Sequence, residues 1–315
     1  MSARLPLDDG VPLDDGVPLD DGLALDDGVV AVIVNYNAGA HLGRCVSSLR
    51  AEGIAQVVVV DNGSADGSTL ALLAADPAVR VVSPGRNLGY GGGVNIGLVN
   101  LGLVAVEPAE MVLVGNPDIV VRPGAVAALV SALEADPSLA VVGPRIEGPD
   151  GTLYPSARTF PKLVDSVGHG FVGLVAPNNR WSRSYKMADW DHASSRRVDW
   201  VSGACFLARR SALASIGGFD ERYFMYSEDV DLCWRASRVG WRVAYEPSAI
   251  VTHVQGVSAE HHPYRMIVAH HRSLWQFATR TTGREGRVLL PLVGAGLGVR
   301  TVLACLDRWH AGWGS

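Results

Sequence analysis

Four short apolar runs, each followed by polar residues, constrain this chain most. Val29–Val34 ends at Asn35-Tyr36-Asn37, and Val57–Val60 at Asp61-Asn62-Gly63-Ser64. Val79–Val82 leads to Arg86-Asn87, and Met111–Val114 to Gly115-Asn116-Pro117-Asp118. Valine-rich runs this short suit strands buried on both faces. Between the first two lies His41–Glu52, where Leu42, Cys45, Val46 and Leu49 recur at helical spacing. Strands alternating with helices predict an α/β fold with a mostly parallel sheet. In open sheets of this kind ligands bind beyond the carboxyl ends of the strands. Asn35, Tyr36, Asp61, Arg86, Asn87 and Asp118 are therefore expected in one crevice.

The stretch Tyr226-Ser227-Glu228-Asp229-Val230-Asp231-Leu232-Cys233-Trp234-Arg235 places three carboxylates in four positions. Carboxylates so close repel one another, and a fold that groups them usually uses them. Asp231 is spaced to pair with Arg235 one helical turn on, a structural duty. Glu228 is placed to cap the helix that follows. Asp229 is left without a structural duty. His253 ends a later apolar run. An early acid, a late acid pair and a late histidine are the parts of a metal-assisted group transfer with its own general base.

The remaining features bound the organisation. The 315 residues are 48% hydrophobic and 19% charged, a globular composition. Residues 1–28 repeat a Pro-Leu-Asp-Asp-Gly-Val unit and hold eight Asp against Arg4, a formal −7, so the remainder carries +2 of the total −5. Such a repeat cannot bury a core and is expected to be disordered; a calcium-binding repeat is the alternative, without the usual loop spacing. Cys45, Cys205, Cys233 and Cys305 include no CxxC pair and read as free thiols. Gly89-Tyr90-Gly91-Gly92-Gly93 lacks both the dinucleotide and the phosphate-loop spacings, and reads as a glycine-rich loop that lets backbone or a helix start approach a diphosphate closely. Leu153 to Ser195 is poorly patterned, with aromatic and basic residues, as a functional insertion would be. Val198–Arg210 reads as a strand around Ser202-Gly203-Ala204, and Trp241–Tyr245 and Ala249–His253 as two more. From His262 onward seven Arg face only Glu285 and Asp307. Val288–Leu306 is strongly apolar but interrupted by Pro291 and Arg300. It reads as an interfacial membrane segment or as a helix packed on the protein's own core.

Taken in order, these motifs resemble the inverting family 2 glycosyltransferases of the GT-A fold. The series is Val-Asn-Tyr-Asn at 34–37, Val-Asp-Asn-Gly-Ser at 60–64, and Arg-Asn-Leu-Gly-Tyr-Gly at 86–91 with Asn95 and Gly97. Asn-Pro-Asp at 116–118, Gly-Gly-Phe-Asp-Glu at 217–221 and Glu-Asp-Val-Asp-Leu-Cys-Trp-Arg at 228–235 complete it. Within the family the chain is similar to bacterial rhamnosyltransferases acting on N-acetylglucosaminyl-diphospho-polyprenol. The resemblance implies a Rossmann-like sheet flanked by helices over 29–260. Residues 261–315 would then form a helical, basic and apolar extension associated with membrane. It implies Asp229 as general base and a donor pocket drawn from Asn35, Tyr36, Asp61, Arg86, Asn87, Asn95 and Asn116. It implies a Mg²⁺ or Mn²⁺ ion held by Asp118 and His253, with Asn116 standing where the family usually has an aspartate. Trp200, Gly203 and Glu228 are candidates for the acceptor side.

The resemblance further implies dTDP-L-rhamnose or a similar sugar nucleotide as donor and a polyprenyl-diphosphate-linked acceptor. It places the enzyme as a peripheral protein on the cytoplasmic face of the plasma membrane, against an anionic surface. No signal sequence is evident and no nucleic-acid partner is expected; oligomeric state is left open. Two other functions stay open at this point. One is transfer of another sugar, such as galactofuranose or mannose. The other is a non-catalytic protein that binds sugar nucleotides.

Overall fold

A computed structural model describes residues 28–101, 110–161, 187, 189–254 and 263–311. The acidic repeat, but for Gly28, and most of the expected insertion lie outside the described residues.

The first half builds the expected alternation. β1 (Val29–Asn35), β2 (Gln56–Asp61), β3 (Arg80–Val82) and β4 (Met111–Gly115) stand parallel in the order β3-β2-β1-β4. Every residue of β1 and β4 is buried, because helices cover both faces. α1 (His41–Ala51) buries the expected Leu42, Cys45, Val46 and Leu49; α2 (Ser68–Ala75) follows β2.

The glycine-rich run is not a loop. It opens α3 (Gly89–Asn100), whose glycine face presses on the sheet. A Cβ on Gly93 would come within 2.8 Å of Val34, and one on Gly97 within 2.4 Å of Val32. The glycines therefore serve close helix–sheet packing. Gly89 is held to glycine twice over, by φ +78° and by the Phe224 carbonyl oxygen 2.0 Å from where a Cβ would stand.

The second half extends the sheet on its other side. β5 (Ile119–Val121) leads to α4 (Ala125–Ala135) and to β6 (Leu139–Glu147). Asp118 does not cap α4; the Glu52 carboxylate does, accepting the Gly124 and Val126 N–H groups at 2.9 Å. β7 (Leu153–Tyr154) adds to β6, while β8 (Ala157–Arg158) forms a separate ribbon with β10 (Trp200–Val201); β9 (Arg196–Val198) lies between them in sequence. The strand expected over 198–210 is thus broken. β10 belongs to the ribbon, Ser202–Ala204 is a turn, and β11 (Cys205–Arg209) enters the main sheet antiparallel between β4 and β6.

α5 (Arg210–Ile216) and α6 (Glu228–Arg238) follow. The two strands expected next are one bulged strand, β12 (Arg242–His253), whose register shifts between Glu246 and Ile250, around Pro247. Phe277 of α7 (Pro263–Thr281) is buried beside Trp234 of α6, ring centroids 6.5 Å apart. A 3₁₀ turn (Arg284–Leu289) leads to α8 (Leu290–Ala311). Pro291 sits in the first turn of α8, where its missing N–H costs nothing, so it starts the helix rather than interrupting it. The segment Arg284–His310 is long and apolar enough to cross a membrane, and none of its most apolar window is buried. α8 rests on α7 at Gly294, where a Cβ would come within 3.1 Å of the Trp275 ring. The core-helix reading of Val288–Leu306 therefore fails: Leu292, Val299 and Val302 are more than half exposed.

Candidate active site

The carboxyl ends of β1 and β4 open with the end of β12 onto one cleft of about 660 Å³. It is lined by Tyr36 after β1, Asn87 before α3, Asn116 to Asp118 between β4 and β5, and His253. The 202–204 turn and the start of α6 close the opposite side. Of the residues singled out in the sequence, Tyr36, Asn87, Asn116, Asp118, Trp200, Gly203, Glu228, Asp229 and His253 are brought together.

One corner is built by sheet register. β5 and β12 pair antiparallel with Ile119 opposite His253, which sets Asp118 beside the ring. The Asp118 carbonyl also accepts the Val254 N–H at 3.1 Å. His253 Nε2 lies 3.2 Å from Asp118 Oδ1 and 3.2 Å from the Asn116 amide nitrogen, while its Nδ1 is buried without a partner. One ring nitrogen cannot accept from Asn116 and donate to Asp118 in the same tautomer. A cation removes the conflict: with the Asn116 amide turned, a carboxylate oxygen, an imidazole nitrogen and an amide oxygen converge on one point. That donor set fits Mg²⁺ or Mn²⁺ with the rest of the shell left to a diphosphate and water. Among the described residues no group of three His, Cys, Asp or Glu gathers.

The opposite corner is acidic in another way. Tyr226 and Ser227 both take left-handed backbone, at φ 68° and 65°, an arrangement that costs about 1–3 kcal/mol per residue. It turns α6 so that its first residues face the cleft. Asp229 Oδ2 accepts the Gly203 N–H at 2.8 Å, and Oδ1 accepts the Val230 N–H at 2.8 Å. The fit at Gly203 is tight, since a Cβ there would stand 3.2 Å from the Asp229 Cβ. Burial raises the Asp229 carboxyl above the usual range, against the pull of the two amides and the Arg158 charge. Burial and the adjacent Asp229 push Glu228 up to about 8, and its Oε2 has no partner. The two share a proton near neutrality. Glu228 holds it, because the Gly203 and Val230 N–H groups both steady a negative charge on Asp229.

Asp231 confirms its structural reading. It is fully buried, pairs with Arg235 at 2.6 Å, and lies 3.3 Å from Arg280 of α7. Arg235 also donates to the Ile216 and Gly218 carbonyls at 2.7 Å.

Four expected donor residues do not line the cleft. Asn35 is fully buried and donates to Ser64, Ser68 and Thr69, tying β1 to the start of α2. Asn95 exchanges hydrogen bonds with the Phe219 backbone in both directions at 2.9 Å, which spends its amide on anchoring the 217–219 turn. Asp61 accepts the Ser64 N–H at 3.0 Å and steadies its own turn. Arg86 is exposed. Glu228 does not cap α6, for the helix has no side-chain cap.

Other residues were missed in the sequence. Asn62 holds the start of α3 through the Gly89 carbonyl at 2.9 Å, and the Tyr90 hydroxyl donates to the Gly203 carbonyl. Arg158 lies over the rings of Tyr154 and Trp200, centroids 5.5 and 5.2 Å away, and brings a cation to the cleft. α7 contributes Arg265, Met266, His270 and Leu274. Ser273 and Arg280 fasten it to Met225 and Asp231. Residues 263–281 are thus cleft wall, and only the chain beyond them stands off the body. Cys45, Cys205 and Cys233 are free and buried, and burial raises each thiol.

A Rossmann-like sheet that gathers a carboxylate–imidazole corner and a raised carboxylate across one cleft suits a group-transfer enzyme. Residues 27–287 match the model of the glycosyltransferase-like family 2, and the chain belongs to that family. It is 42% identical over 260 residues to the N-acetylglucosaminyl-diphospho-decaprenol L-rhamnosyltransferase of Mycobacterium tuberculosis, covering 80% of this chain and 84% of that protein. It is 28% identical over 218 residues to the low-salt glycan biosynthesis hexosyltransferase Agl10 of Haloferax volcanii, covering 66% and 61%. Among solved structures it is similar to the mannosyltransferase PcManGT from Pyrobaculum calidifontis, in complex with GDP-Man and Mn²⁺. The TM-score is 0.55 at 14% identity, over 89% of this chain and 75% of that one. Such a likeness shows the fold, which is the expected GT-A fold. The chain is a glycosyltransferase.

Proposed function

We propose that this glycosyltransferase moves L-rhamnose from dTDP-L-rhamnose to N-acetylglucosaminyl-diphospho-polyprenol, with inversion. The observation that carries the reading is the facing of Asp229 and the Asp118–His253 pair across one cleft, in a chain 42% identical to an enzyme of that name. Tyr36, at the end of β1, serves the nucleoside; Asn87 and the start of α3 border the diphosphate. Asp118, His253 and Asn116 would hold Mg²⁺ or Mn²⁺. When bound, the ion neutralises charge on the leaving diphosphate.

The acceptor hydroxyl attacks the anomeric carbon from the face opposite the diphosphate. As the new C–O bond forms and the bond to the diphosphate breaks, the hydroxyl proton passes to Asp229. The raised basicity of Asp229 suits this task at neutral pH. The Gly203 and Val230 amides fix the orientation of its oxygens. Neutral Glu228 keeps a second negative charge away from it. Trp200 and Gly203 shape the acceptor side.

Mass spectrometry of a reaction with short-chain N-acetylglucosaminyl-diphospho-prenol and a panel of sugar nucleotides tests the reading. A deoxyhexose increment from dTDP-L-rhamnose alone supports it. A hexose increment from another donor, with none from dTDP-L-rhamnose, overturns the sugar assignment.

A peripheral seat on the cytoplasmic face of the plasma membrane goes with this acceptor. The exposed apolar residues of α8 and the basic tail support it. Polybasic attraction is worth roughly 1 kcal/mol per residue near an anionic leaflet and is screened by salt, whereas apolar insertion is not. Binding to anionic liposomes should weaken with salt yet persist, and removal of residues 288–315 should abolish the persistent part. Indifference to anionic liposomes at low salt would contradict the seat.

A further inference from the structure

A second cleft, of about 530 Å³, opens beside the catalytic one. The two share Phe224, Arg265 and Met266 as walls, so they adjoin along α7. Among the described residues no carboxylate lines the second cleft. It holds three arginines among mainly apolar side chains, and the three differ in state. Arg222 is spent on Asp220, 2.5 Å away. Arg265 and Arg272 are exposed, and among the described residues neither has an ion pair or hydrogen bond. They stand seven residues apart, two turns along one face of α7, a rise of about 10 Å. Val268, half exposed, lies between them.

Two uncompensated guanidinium groups in an apolar groove suit adjacent phosphates followed by hydrocarbon. Guanidinium binds phosphate through two parallel N–H donors. The donor diphosphate belongs elsewhere, at the Asp118–His253 corner. The groove also lies on the helix pair that presents apolar surface: α8 runs back along α7, with Gly294 on Trp275. Farther along, the Arg300 charge helps burial and His271 to hold His270 at about 4, and so neutral.

We propose that this groove is the subsite for the diphosphate of the lipid-linked acceptor. Arg265 and Arg272 bind its phosphates, the sugar reaches through the shared opening to Asp229, and the polyprenyl chain leaves along α7 toward α8. The proposal rests on the lipid-linked acceptor proposed above.

The test compares the full chain with Arg265→Gln/Arg272→Gln in detergent solution, using two acceptors. One is short-chain N-acetylglucosaminyl-diphospho-prenol; the other is an alkyl N-acetylglucosaminide without phosphate. A hydrogen bond to a charged group is worth a tenfold or larger factor, so KM for the diphosphate acceptor should rise at least about tenfold. KM for the alkyl glycoside should hold, and Arg265→Lys/Arg272→Lys should recover part of the loss. Calorimetry should show farnesyl diphosphate binding the parent and not the Gln variant, a readout that needs no turnover. Equal KM and equal farnesyl diphosphate affinity in parent and variant would overturn the subsite. So would a variant that loses only binding to anionic phospholipid vesicles, since the arginines would then read bulk lipid charge. If the parent transfers to neither acceptor, the lipid-linked reading itself falls, a result distinct from either of these.

Discussion

The two corners of the cleft are both acidic and both buried, yet they are built to handle charge differently. At the Asp118–His253 corner the chain supplies one carboxylate, one imidazole and one amide, with lone pairs outnumbering protons. At the Glu228–Asp229 corner two carboxyls adjoin, burial raises both, and one proton is retained between them. In the proposed function the first arrangement would hold a cation and the second would keep a base. What separates them is the backbone: strand register gathers side chains from β5 and β12, whereas a left-handed pair before α6 sets two consecutive residues at one helix start. Charge alone does not make a metal site; the number of donors free of protons does.

Mutation sharpens the contrast. The largest expected effect is at the base. Asp229→Asn keeps the shape and its neighbours, and should cut turnover by about 10²–10⁴-fold while donor affinity stays near normal. Loss of donor binding in parallel would mean that Asp229 holds the donor instead. At the other corner chelator should stop transfer and Mg²⁺ or Mn²⁺ restore it. His253→Ala should need at least about tenfold more metal for half-activity. Full rate in excess chelator would break the comparison.

The smallest effect is on stability. Glu228 has a folded-state value raised from 4.5 to about 8. Its contribution is therefore fully present below about pH 4.5 and is lost as pH rises through 8. Glu228→Gln should raise Tm at pH 8 by more than at pH 5. An equal change at both would show that Glu228 is not held protonated.

The parts of this design were unequally legible in the sequence. Strand ends were legible because buried parallel strands write themselves as apolar runs, so Tyr36, Asp118 and His253 could be placed before any coordinates. Asp229 was legible by elimination once Asp231 had Arg235 at helical spacing. Asn95 was misassigned because a motif does not say which way a side chain points, and it points to Phe219. The glycine run left a loop and a helix start both open, because both can require glycine, and only the packing on Val32 and Val34 shows the helix. Arg158, on a two-residue strand, and the cleft face of α7 left no periodic mark. Their roles come from long-range packing, such as Arg280 reaching Asp231 across 49 positions. For the same reason the part of the helical extension that lines the cleft, α7, could not be told from the part that does not.

The most direct measurement is the pH dependence of kcat/KM at saturating Mg²⁺, in the parent and in Asp229→Asn. A base must be unprotonated to act, so the rate falls as pH drops through its pKa. Burial raises Asp229, so the acid limb of the parent should lie above the ordinary carboxylate range near 4. The residual activity of Asp229→Asn should lack that limb. A parent profile flat from pH 4 to 8, or the same limb in both proteins, would contradict the assignment of Asp229 as the proton acceptor.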